Sequence, residues 1–576
     1  MITMAWSVIR VEVPTSKRRT GIMRYSTCHA TRTNTLVLPV PTISASPPAY
    51  SQLDDGQKRK SILKIGLGRE FGSRFGSRPG SVTIKDDPIP TSGVTIVTEE
   101  ETNWRSIYLL TAVSTLAGIQ FSVFFTSLYP FLNTVDPTAS SIYFGIITAA
   151  YSFGQAIFSP LFGYWSNKSK AIRPPLTAGL IVMIVSNAIY ACVELFPQTS
   201  RRWVMLVARF FVGSGSGIVG IMRAYAATAS TLKDRAKAIT YLSASFMIGL
   251  TIGPFMQIAF TPIGYPGWKI AGNFHIDMYT SPALFASLCN LISLVFLYTV
   301  FKEYYAGIIT EEQKVDPFFA LPNPKVIPSS ICIITQFTLM FIVTNSESVG
   351  SMYTIAMFEW TDAKAVLYNG FIGAGSSIIS LFLYVALAYG LGNYISKGRE
   401  KNFTIIGLIM ILLYQLITYP WPFLPGKPGY KFENETSSST EYIGCYSSKY
   451  RWCEWTHQVP LWLYAGAQAI TAISFPLVTV ANNTLYSKVL GSRRQGTMQG
   501  IQMMSGSIAR CVGPFLVTWV FNDYGPGVTW LMQIGVLAIA TTLWIVFYRQ
   551  IVPLDMDPKL KPGEHYKYEK GVKYRF

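Results

Sequence analysis

The chain has 576 residues, of which 50% are hydrophobic, 14% are aromatic and only 14% are charged. Soluble domains carry about 25% charged residues, so this composition excludes a soluble globular enzyme of this length. The formal net charge of +18 therefore indicates the charge asymmetry of a membrane protein and argues against a nucleic-acid partner.

The cysteines and histidines form no pattern typical of a metal site or a catalytic centre. The chain has no Cys-x-x-Cys motif, and its four histidines are scattered over the tail and the loops. No glycine-rich phosphate-binding loop follows a predicted strand. The sequence therefore predicts a protein without enzymatic activity, bound metal or cofactor.

Residues 1–103 differ from the rest of the chain because they are rich in Ser, Thr, Pro, Arg and Lys. Such a segment cannot bury enough apolar surface to offset the entropy that it loses on ordering, so it is predicted to be a disordered tail. Its basic clusters, such as Lys58-Arg59-Lys60, are interpreted as solvated charge, with contact to anionic membrane lipid as the alternative.

From Ile107 onward, apolar segments alternate with short polar loops. A bilayer core about 30 Å thick requires about 20 helical residues, and twelve segments have about that length. They are Ile107–Leu132, Ile142–Gly163, Pro175–Phe196, Trp203–Ala229, Ala238–Phe260, Ser281–Phe301, Ile327–Tyr353, Ala365–Leu391, Phe403–Leu424, Val459–Tyr486, Gly496–Phe521 and Val528–Phe547. The sequence predicts an all-α membrane protein with six-helix halves at 104–302 and 327–549, a linker at 303–326 and a tail at 550–576.

Lys and Arg residues in alternate short loops predict the orientation, because such loops remain cytoplasmic. Both termini are therefore predicted to be cytoplasmic, and loop 425–458 is predicted to be luminal. This loop contains the glycosylation motif Asn434-Glu-Thr436, and also Cys445 and Cys453, which an oxidising compartment would allow to pair. The basic residues are Lys168, Lys170, Arg173, Lys233, Arg235, Lys237, Lys397, Arg399, Lys401, Lys488, Arg493 and Arg494.

Two motifs carry a resemblance to the major facilitator superfamily. Arg209-Phe-Phe-Val-Gly213-Ser-Gly215 in the fourth segment resembles its R-x-x-x-G-x-G pattern, and Gly249-Leu-Thr-Ile-Gly253-Pro254 in the fifth resembles its G-x-x-x-G-P pattern. Small residues at these spacings let helices approach closely. The loop Gly163-Tyr-Trp-Ser-Asn167 departs from the family because Asn replaces an acidic residue, which puts the usual cytoplasmic ion pair in doubt.

Longer matches narrow the resemblance to the lysosomal branch of this superfamily that is linked to late-infantile neuronal ceroid lipofuscinosis. They include Ala149–Gly163, Leu206–Tyr225, Asp277–Pro282, Ala365–Gly370, Leu485–Gly491 and Ser505–Pro514, the last of which contains Gly513 and Pro514. The resemblance implies twelve helices, residence in late endosomal or lysosomal membranes, glycosylation in the loop before the tenth helix and a chloride conductance. Cys445 and Cys453 are similar to a cysteine pair in that loop of the family.

Four ionisable residues are predicted to lie at membrane depth, where each costs roughly 2.5–3.5 kcal/mol or more and therefore requires a reason. Arg223 and Arg510 are predicted to attract an anion on the substrate path, and Glu347 is predicted to be a gate or a proton acceptor, because burial favours the neutral form of a carboxyl group. The alternative is that Glu347 pairs with an arginine. For Arg209 the favoured interpretation is helix packing, although its spacing of 14 residues from Arg223 predicts that the two arginines share one helical face, about 21 Å apart.

Tyr151 and Gln155 are four residues apart in the second segment, so they share a helical face and are candidates for the wall of the same path. Hydrogen bonding between helices is the alternative for both. In the tail, Tyr50-Ser-Gln-Leu53 has the form of a sorting signal that cytoplasmic adaptor proteins bind.

Three classes of function remain compatible with the sequence. The first is a carrier of a small solute, with an anion such as chloride favoured, in which the two halves rock. The second is a channel-like chloride conductance on the same scaffold. The third, a scaffold without transport, is disfavoured because it would have no need of charges inside the membrane.

Overall fold

The computed structural model describes residues 101–124, 127–136, 141–231, 233–271, 274–306, 323–432, 442–445, 450–554, 566–569 and 572–575. The predictions for Tyr50, Leu53 and Asn434 lie outside these residues, as do most of the tail 1–103 and most of the linker 303–326.

The described residues form an almost entirely helical structure, which confirms the predicted fold class. Those of the first half form α1 (Trp104–Ser122), α2 (Leu128–Val135), α3 (Ser141–Ser169), α4 (Arg173–Ala191), α5 (Gln198–Ser216), α6 (Ile218–Ala229), α7 (Arg235–Phe260) and α8 (Ser281–Thr299). Those of the second half form α9 (Val326–Phe358), α10 (Asp362–Ala386), α11 (Gly392–Ser396), α12 (Glu400–Ile417), α13 (Leu461–Leu490) and α14 (Gly496–Val546), with a π-helical turn over Leu387–Leu391.

Three antiparallel hairpins complete the described secondary structure. They are β1 (Trp268–Ala271) with β2 (Phe274–Ile276), β3 (Tyr430–Phe432) with β4 (Tyr442–Gly444), and β5 (Tyr566–Glu569) with β6 (Val572–Arg575). Short 3₁₀ turns occur at Val193–Leu195, Thr261–Ile263 and Arg451–Glu454.

Ten helical spans in the described part of the chain are long and apolar enough to cross a membrane. The twelve predicted segments differ from these ten at two places. α14 has 51 residues and contains both of the last two segments. The two segments meet at Gly525, where the backbone is not helical and φ is 82°. α1 is not among the ten, since its 19 residues include six Ser, Thr and Gln side chains.

The first predicted segment also ends earlier than expected. α1 stops at Ser122 and the chain resumes as α2 at Leu128. Pro130 explains why a single helix does not continue to Leu132, because a proline ring inside a helix clashes with the carbonyl group four residues earlier.

The loops that carry the predicted cytoplasmic Lys and Arg residues come together at one end of the bundle. Lys488 Nζ donates to Ser396 Oγ over 3.1 Å and forms an ion pair with Glu400. Arg235 Nη1 donates to the carbonyl oxygen of Ser487 over 3.5 Å. We call this end, bearing Lys168, Lys397 and Lys488, the basic face.

The opposite end carries the loop around the disulfide between Cys445 and Cys453, whose Cα atoms are 5.6 Å apart. Trp452 lies fully buried in this loop and packs 5.2 Å from Phe521 of α14, measured between ring centroids. We call this end the disulfide face.

The two halves meet along α3 and α14. A Cβ atom at Gly145 would lie 3.3 Å from Phe515, and a Cβ atom at Gly163 would lie 2.2 Å from the carbonyl oxygen of Gly496. α3 and α14 are therefore in contact from near the disulfide face to the basic face. α7 also reaches the second half at the basic face, through Arg235 and Ser487.

Candidate functional site

A cavity of about 580 Å³ lies between the two halves. Its wall is formed by α1, α3, α6 and α7 of the first half and by α9, α10, α12, α13 and α14 of the second. Binding sites for small molecules usually have volumes of about 300–1,000 Å³, so this cavity has the size of a ligand site.

Three charged side chains line the cavity, namely Arg223 from α6, Glu347 from α9 and Arg510 from α14. Much of the remaining wall is apolar and includes Phe121, Phe246, Met247, Leu339, Met340 and Phe475. In such surroundings a charged group is poorly solvated and interacts strongly with a ligand of opposite charge. The charged part of the wall thus consists of two guanidinium groups and one carboxylate.

Arg510 connects the two halves through Gln155. Its guanidinium group donates to Gln155 Oε1 of α3, and Ser507 Oγ donates to the same oxygen over 2.8 Å. Gln155 Nε2 in turn donates to Ser216 Oγ over 3.0 Å. The Phe121 ring centroid lies 5.2 Å from the guanidinium carbon of Arg510. One amide thus holds a charged side chain of the second half against the first half.

Arg223 has a weaker partner. Its Nη1 donates to the thioether sulfur of Met503 over 3.1 Å. A thioether is a poor acceptor, so the guanidinium group retains most of its capacity to bind an anion.

Glu347 is exposed within the cavity. In the described part of the chain no Lys, Arg or His nitrogen lies within 4.0 Å of its carboxylate, whereas Arg510 is close enough to attract it. The carboxylate therefore competes with any anion that approaches Arg510.

Arg209 is not among the residues that line the cavity, whereas Arg223 is. The two arginines lie on α5 and α6, which join at Gly217 in right-handed helical backbone, with φ −54° and ψ −19°. That they share a helical face stays a prediction. Arg209 is buried, with its guanidinium carbon 4.4 Å from the Phe124 ring centroid and 5.8 Å from that of Tyr151.

Gln155 and Tyr151 differ in position although they share a helical face. Gln155 lines the cavity, but Tyr151 is not among the lining residues. The Tyr151 ring packs against that of Phe121 at an interplanar angle of 54°, with 5.2 Å between the ring centroids.

The motif glycines lie at close helix–helix contacts. A Cβ atom at Gly213 would lie 1.9 Å from the carbonyl oxygen of Tyr151, and one at Gly249 would lie 2.2 Å from that of Thr115. These glycines allow α5 to approach α3 and α7 to approach α1. The remaining motif residues are Gly215, Gly253 and Gly513, which also lie at close contacts, and Pro254 and Pro514, which lie inside α7 and α14.

Asn167 joins the two halves at the basic face. Its Oδ1 accepts a hydrogen bond from the backbone N–H of Gly496 over 3.0 Å, and its Nδ2 donates to Thr497 Oγ1 over 2.8 Å. A neutral amide thus binds the N-terminus of α14 at the position where the family pattern has an acidic residue. This contact closes α3 against α14 between the cavity and the basic face.

Arg235 lies in a position that the sequence did not indicate. The sequence places it among the basic residues of the short cytoplasmic loops, but the structure leaves Arg235 0% exposed. The loop before α7 is short, and the first turn of that helix packs against the end of α13. Neither charge pattern nor hydropathy reports such a contact between distant parts of the chain.

Comparison with known proteins identifies the fold and the family. The model of the Major Facilitator Superfamily matches residues 100–428. Major facilitator superfamily domain-containing protein 8 of Xenopus laevis is 29% identical over 482 residues, which cover 79% of this chain and 92% of that protein.

Solved structures with the same fold include the human organic anion transporter MFSD10, with a TM-score of 0.53, 14% identity, and coverage of 77% of this chain and 100% of that one. They also include the proton:xylose symporter XylE, with a TM-score of 0.57, 15% identity, and coverage of 78% and 97%. The chain belongs to the major facilitator superfamily of membrane transport proteins.

Proposed function

We propose that this chain is a carrier of endolysosomal membranes that moves a small anionic solute, such as chloride, by exposing the cavity alternately to the two faces. The observation that carries the proposal is the pair of guanidinium groups of Arg223 and Arg510 in an otherwise mostly apolar cavity between the halves. Guanidinium groups remain protonated at all physiological pH values, so they attract anions from either compartment.

The bond between Arg510 and Gln155 supports a link between anion binding and movement of the halves. An anion that binds the guanidinium group competes with Gln155 Oε1, which is also held by Ser507. Loss of this bond weakens one contact between α3 and α14. Anion binding therefore changes the balance between the two conformations of the carrier.

Glu347 is proposed as the gate or proton acceptor of this cycle. When ionised, it attracts Arg510 and opposes entry of an anion; when protonated, it leaves the positive charge of Arg510 to the substrate. A proton taken from an acidic lumen would then favour anion binding from that side. Tyr151 acts on the path only indirectly, through Phe121.

A larger organic anion is a second candidate substrate. A cavity of about 580 Å³ exceeds the volume needed for one chloride ion and suits a metabolite with an apolar body. The structurally similar MFSD10 is an organic anion transporter, which supports the same class. A channel-like chloride conductance on the same scaffold is the other alternative.

The proposed location in lysosomal or late endosomal membranes, with both termini cytoplasmic, rests on the sequence resemblance and on the basic loops. The basic face would then be cytoplasmic and the disulfide face luminal, where glycosylation of Asn434 is proposed. Tyr50 and Leu53 are proposed to bind sorting adaptors.

The experiment that tests the proposal is an electrical recording. Tyr50→Ala is used to redirect the protein to the cell surface, and currents are compared in chloride and gluconate at acidic and neutral luminal pH. Arg510→Gln is recorded beside Arg549→Gln, which removes the same charge from an exposed position. Surface abundance is measured for every variant.

We expect a chloride-dependent current that Arg510→Gln abolishes and Arg549→Gln retains. Unitary openings would favour the channel over the carrier. Absence of current with the protein at the surface would refute an electrogenic chloride path. Uptake of labelled organic anions would then decide whether an anion carrier of the second class is present.

A further inference from the structure

Arg235 is a buried cation outside the cavity. It is the first residue of α7, and its side chain makes a single weak hydrogen bond, from Nη1 to the carbonyl oxygen of Ser487 over 3.5 Å. Its Nε and Nη2 groups have no partner among the described residues. The neighbouring carboxylate of Asp234 instead accepts a hydrogen bond from Thr102 over 2.8 Å. The positive charge of Arg235 is therefore not compensated by an ion pair within the described chain.

Polar side chains on α13 connect this cation with the cavity. Thr479, Asn483 and Ser487 recur every four residues, so they lie on one face of the helix. Thr479 lines the cavity, and Ser487 contacts Arg235 through its carbonyl oxygen. All three are buried, and Thr479 Oγ1, Asn483 Nδ2 and Ser487 Oγ have no hydrogen-bond partner among the described residues.

Neighbouring helices enclose this polar face. Gln502 of α14 donates from Nε2 to Asn483 Oδ1 over 3.1 Å, while its own Oε1 is without a partner in the described chain. On α7, Ser243 lines the cavity two turns from Arg235, with buried Ile239 between them. At 1.5 Å per residue, Arg235 lies about 12 Å from the cavity floor towards the basic face.

Burial without hydrogen bonds is unfavourable for each of these groups, and most unfavourable for the charge of Arg235. Buried unsatisfied groups of this kind call for an explanation, and a bound ion is one. Here the unsatisfied groups are mainly donors, namely the N–H groups of Arg235, the amide of Asn483 and the hydroxyl groups of α13. Such a set binds an anion rather than a cation.

We propose that Arg235, with Asn483 and Ser487, forms a second anion site at the basic face, on its buried side towards the cavity. The site takes a single small inorganic anion of halide size, because Arg235, Asn483 and Ser487 are all buried, with exposed fractions of 0–2%. This proposal rests on the proposed function, because the same anions would pass through the cavity. The second site would bind them transiently as they enter or leave at the basic face.

The test measures anion binding without transport. A ligand that binds only the folded protein raises its melting temperature. The purified full-length protein in detergent is therefore heated in sodium chloride and in sodium gluconate at equal ionic strength. Arg510→Gln removes the cavity arginine, so the chloride-dependent shift that remains reports any other site. Arg235→Met is then added, with Arg549→Gln as the control for loss of one charge.

We expect Arg510→Gln and Arg549→Gln to retain a saturable rise in melting temperature with chloride, and the combination of Arg510→Gln with Arg235→Met to lose it. An equal rise with and without Arg235→Met would overturn the proposal. So would absence of any chloride-dependent rise in Arg510→Gln. If Arg235→Met does not fold, Arg235→Lys is used in its place. The chloride concentration that gives half of the rise in melting temperature should then differ from that of Arg510→Gln alone. An unchanged concentration would contradict the site.

A second readout locates the anion directly. In crystals grown with bromide, the anomalous signal is expected beside the guanidinium group of Arg235. A crystal without that peak would contradict the site. A peak at Arg235 in a protein that carries no chloride current would retain the site and refute the chloride-conductance proposal, so the two failures are distinguishable.

Discussion

Replacing Gly163 by alanine should open the basic face of the protein. The added Cβ atom would lie 2.2 Å from the carbonyl oxygen of Gly496 and 2.6 Å from its carbonyl carbon. Both of these atoms belong to the backbone of α14, so no side-chain rotation relieves the collision. α3 and α14 must separate at this point.

The size of the effect follows from the geometry. Ordinary contacts of a Cβ atom begin at about 3.4 Å, so the two backbones must move apart by about 1 Å, and such overpacking costs about 1–3 kcal/mol. The penalty falls on the conformation in which α3 and α14 meet. A penalty of about 2 kcal/mol would raise the ratio of the open to the closed conformation about 30-fold.

Cysteine labelling measures this ratio. Ser159 is fully buried on α3, where its carbonyl oxygen lies next to Gly500 of α14, and Ser159→Cys is a nearly isosteric reporter. A membrane-impermeant maleimide applied from the basic face should modify this cysteine about 30-fold faster in Gly163→Ala, by the population ratio above. The same variant without Ser159→Cys supplies the background labelling of native cysteines.

The matched control is Gly535→Ala in α14. A Cβ atom at Gly535 would meet nothing within 4 Å, so this change adds the same methyl group to a helix without a collision. It should leave the labelling rate unchanged. If Gly163→Ala labels no faster than Gly535→Ala, the α3–α14 contact at Gly163 does not close the basic face and the reasoning is refuted.

Other substitutions test separate contacts. Asn167→Ala removes two hydrogen bonds worth about 1 kcal/mol each and should raise the labelling rate of Ser159→Cys at least about fivefold. Asn167→Asp retains an acceptor at the N-terminus of α14 and should leave that rate unchanged. Equal labelling rates in Asn167→Ala and wild type would contradict a role for Asn167 in closure. Cys453→Ser removes the disulfide and should lower the free energy of unfolding by about 2–3 kcal/mol. The melting temperature of the variant should then match that of reduced wild type. A melting temperature equal to that of oxidised wild type would show that packing alone holds the loop. Glu400→Gln leaves the charge of Lys488 without its carboxylate and should destabilise the protein by about 3–5 kcal/mol, seen as a lower melting temperature. Adding Lys488→Met should recover part of this loss, because no unpaired charge then stays buried. A double variant that is no more stable than Glu400→Gln would contradict this explanation.

Hydropathy predicted the fold well because a bilayer requires long apolar helices. It did not predict where the helices break. The interruption at Gly525 and the restart after Ser122 depend on local backbone conformation and on neighbours such as Trp452, which lies 2.5 Å from a Cβ atom placed at Gly525. A window of average hydropathy is insensitive to a single residue of this kind.

The charged residues of the candidate site could be predicted from the sequence, because a charge at membrane depth is unfavourable and therefore requires a reason. That argument selected Arg223, Glu347 and Arg510, which the structure brings to one cavity. The cost of a buried charge alone does not separate them from Arg209, for which the family motif favours helix packing and whose charge lies over the rings of Phe124 and Tyr151. Nor could it indicate the contact between Arg510 and Gln155, which are 355 residues apart in the chain. Helical periodicity shows which residues share a face but not which helix that face meets.

The measurement that tests the central claim most directly is the flux of radiolabelled chloride into liposomes that contain only the purified protein. The account predicts uptake that depends on the protein, that is lost in Arg510→Gln, and that persists in Arg549→Gln. It also predicts that unlabelled chloride inside the liposomes accelerates uptake of the label. In a carrier, the cavity would change its exposure from one face to the other faster with an anion bound than when empty. Uptake that is equal in Arg510→Gln and in wild type would contradict the claim that an anion passes through the cavity between the two halves.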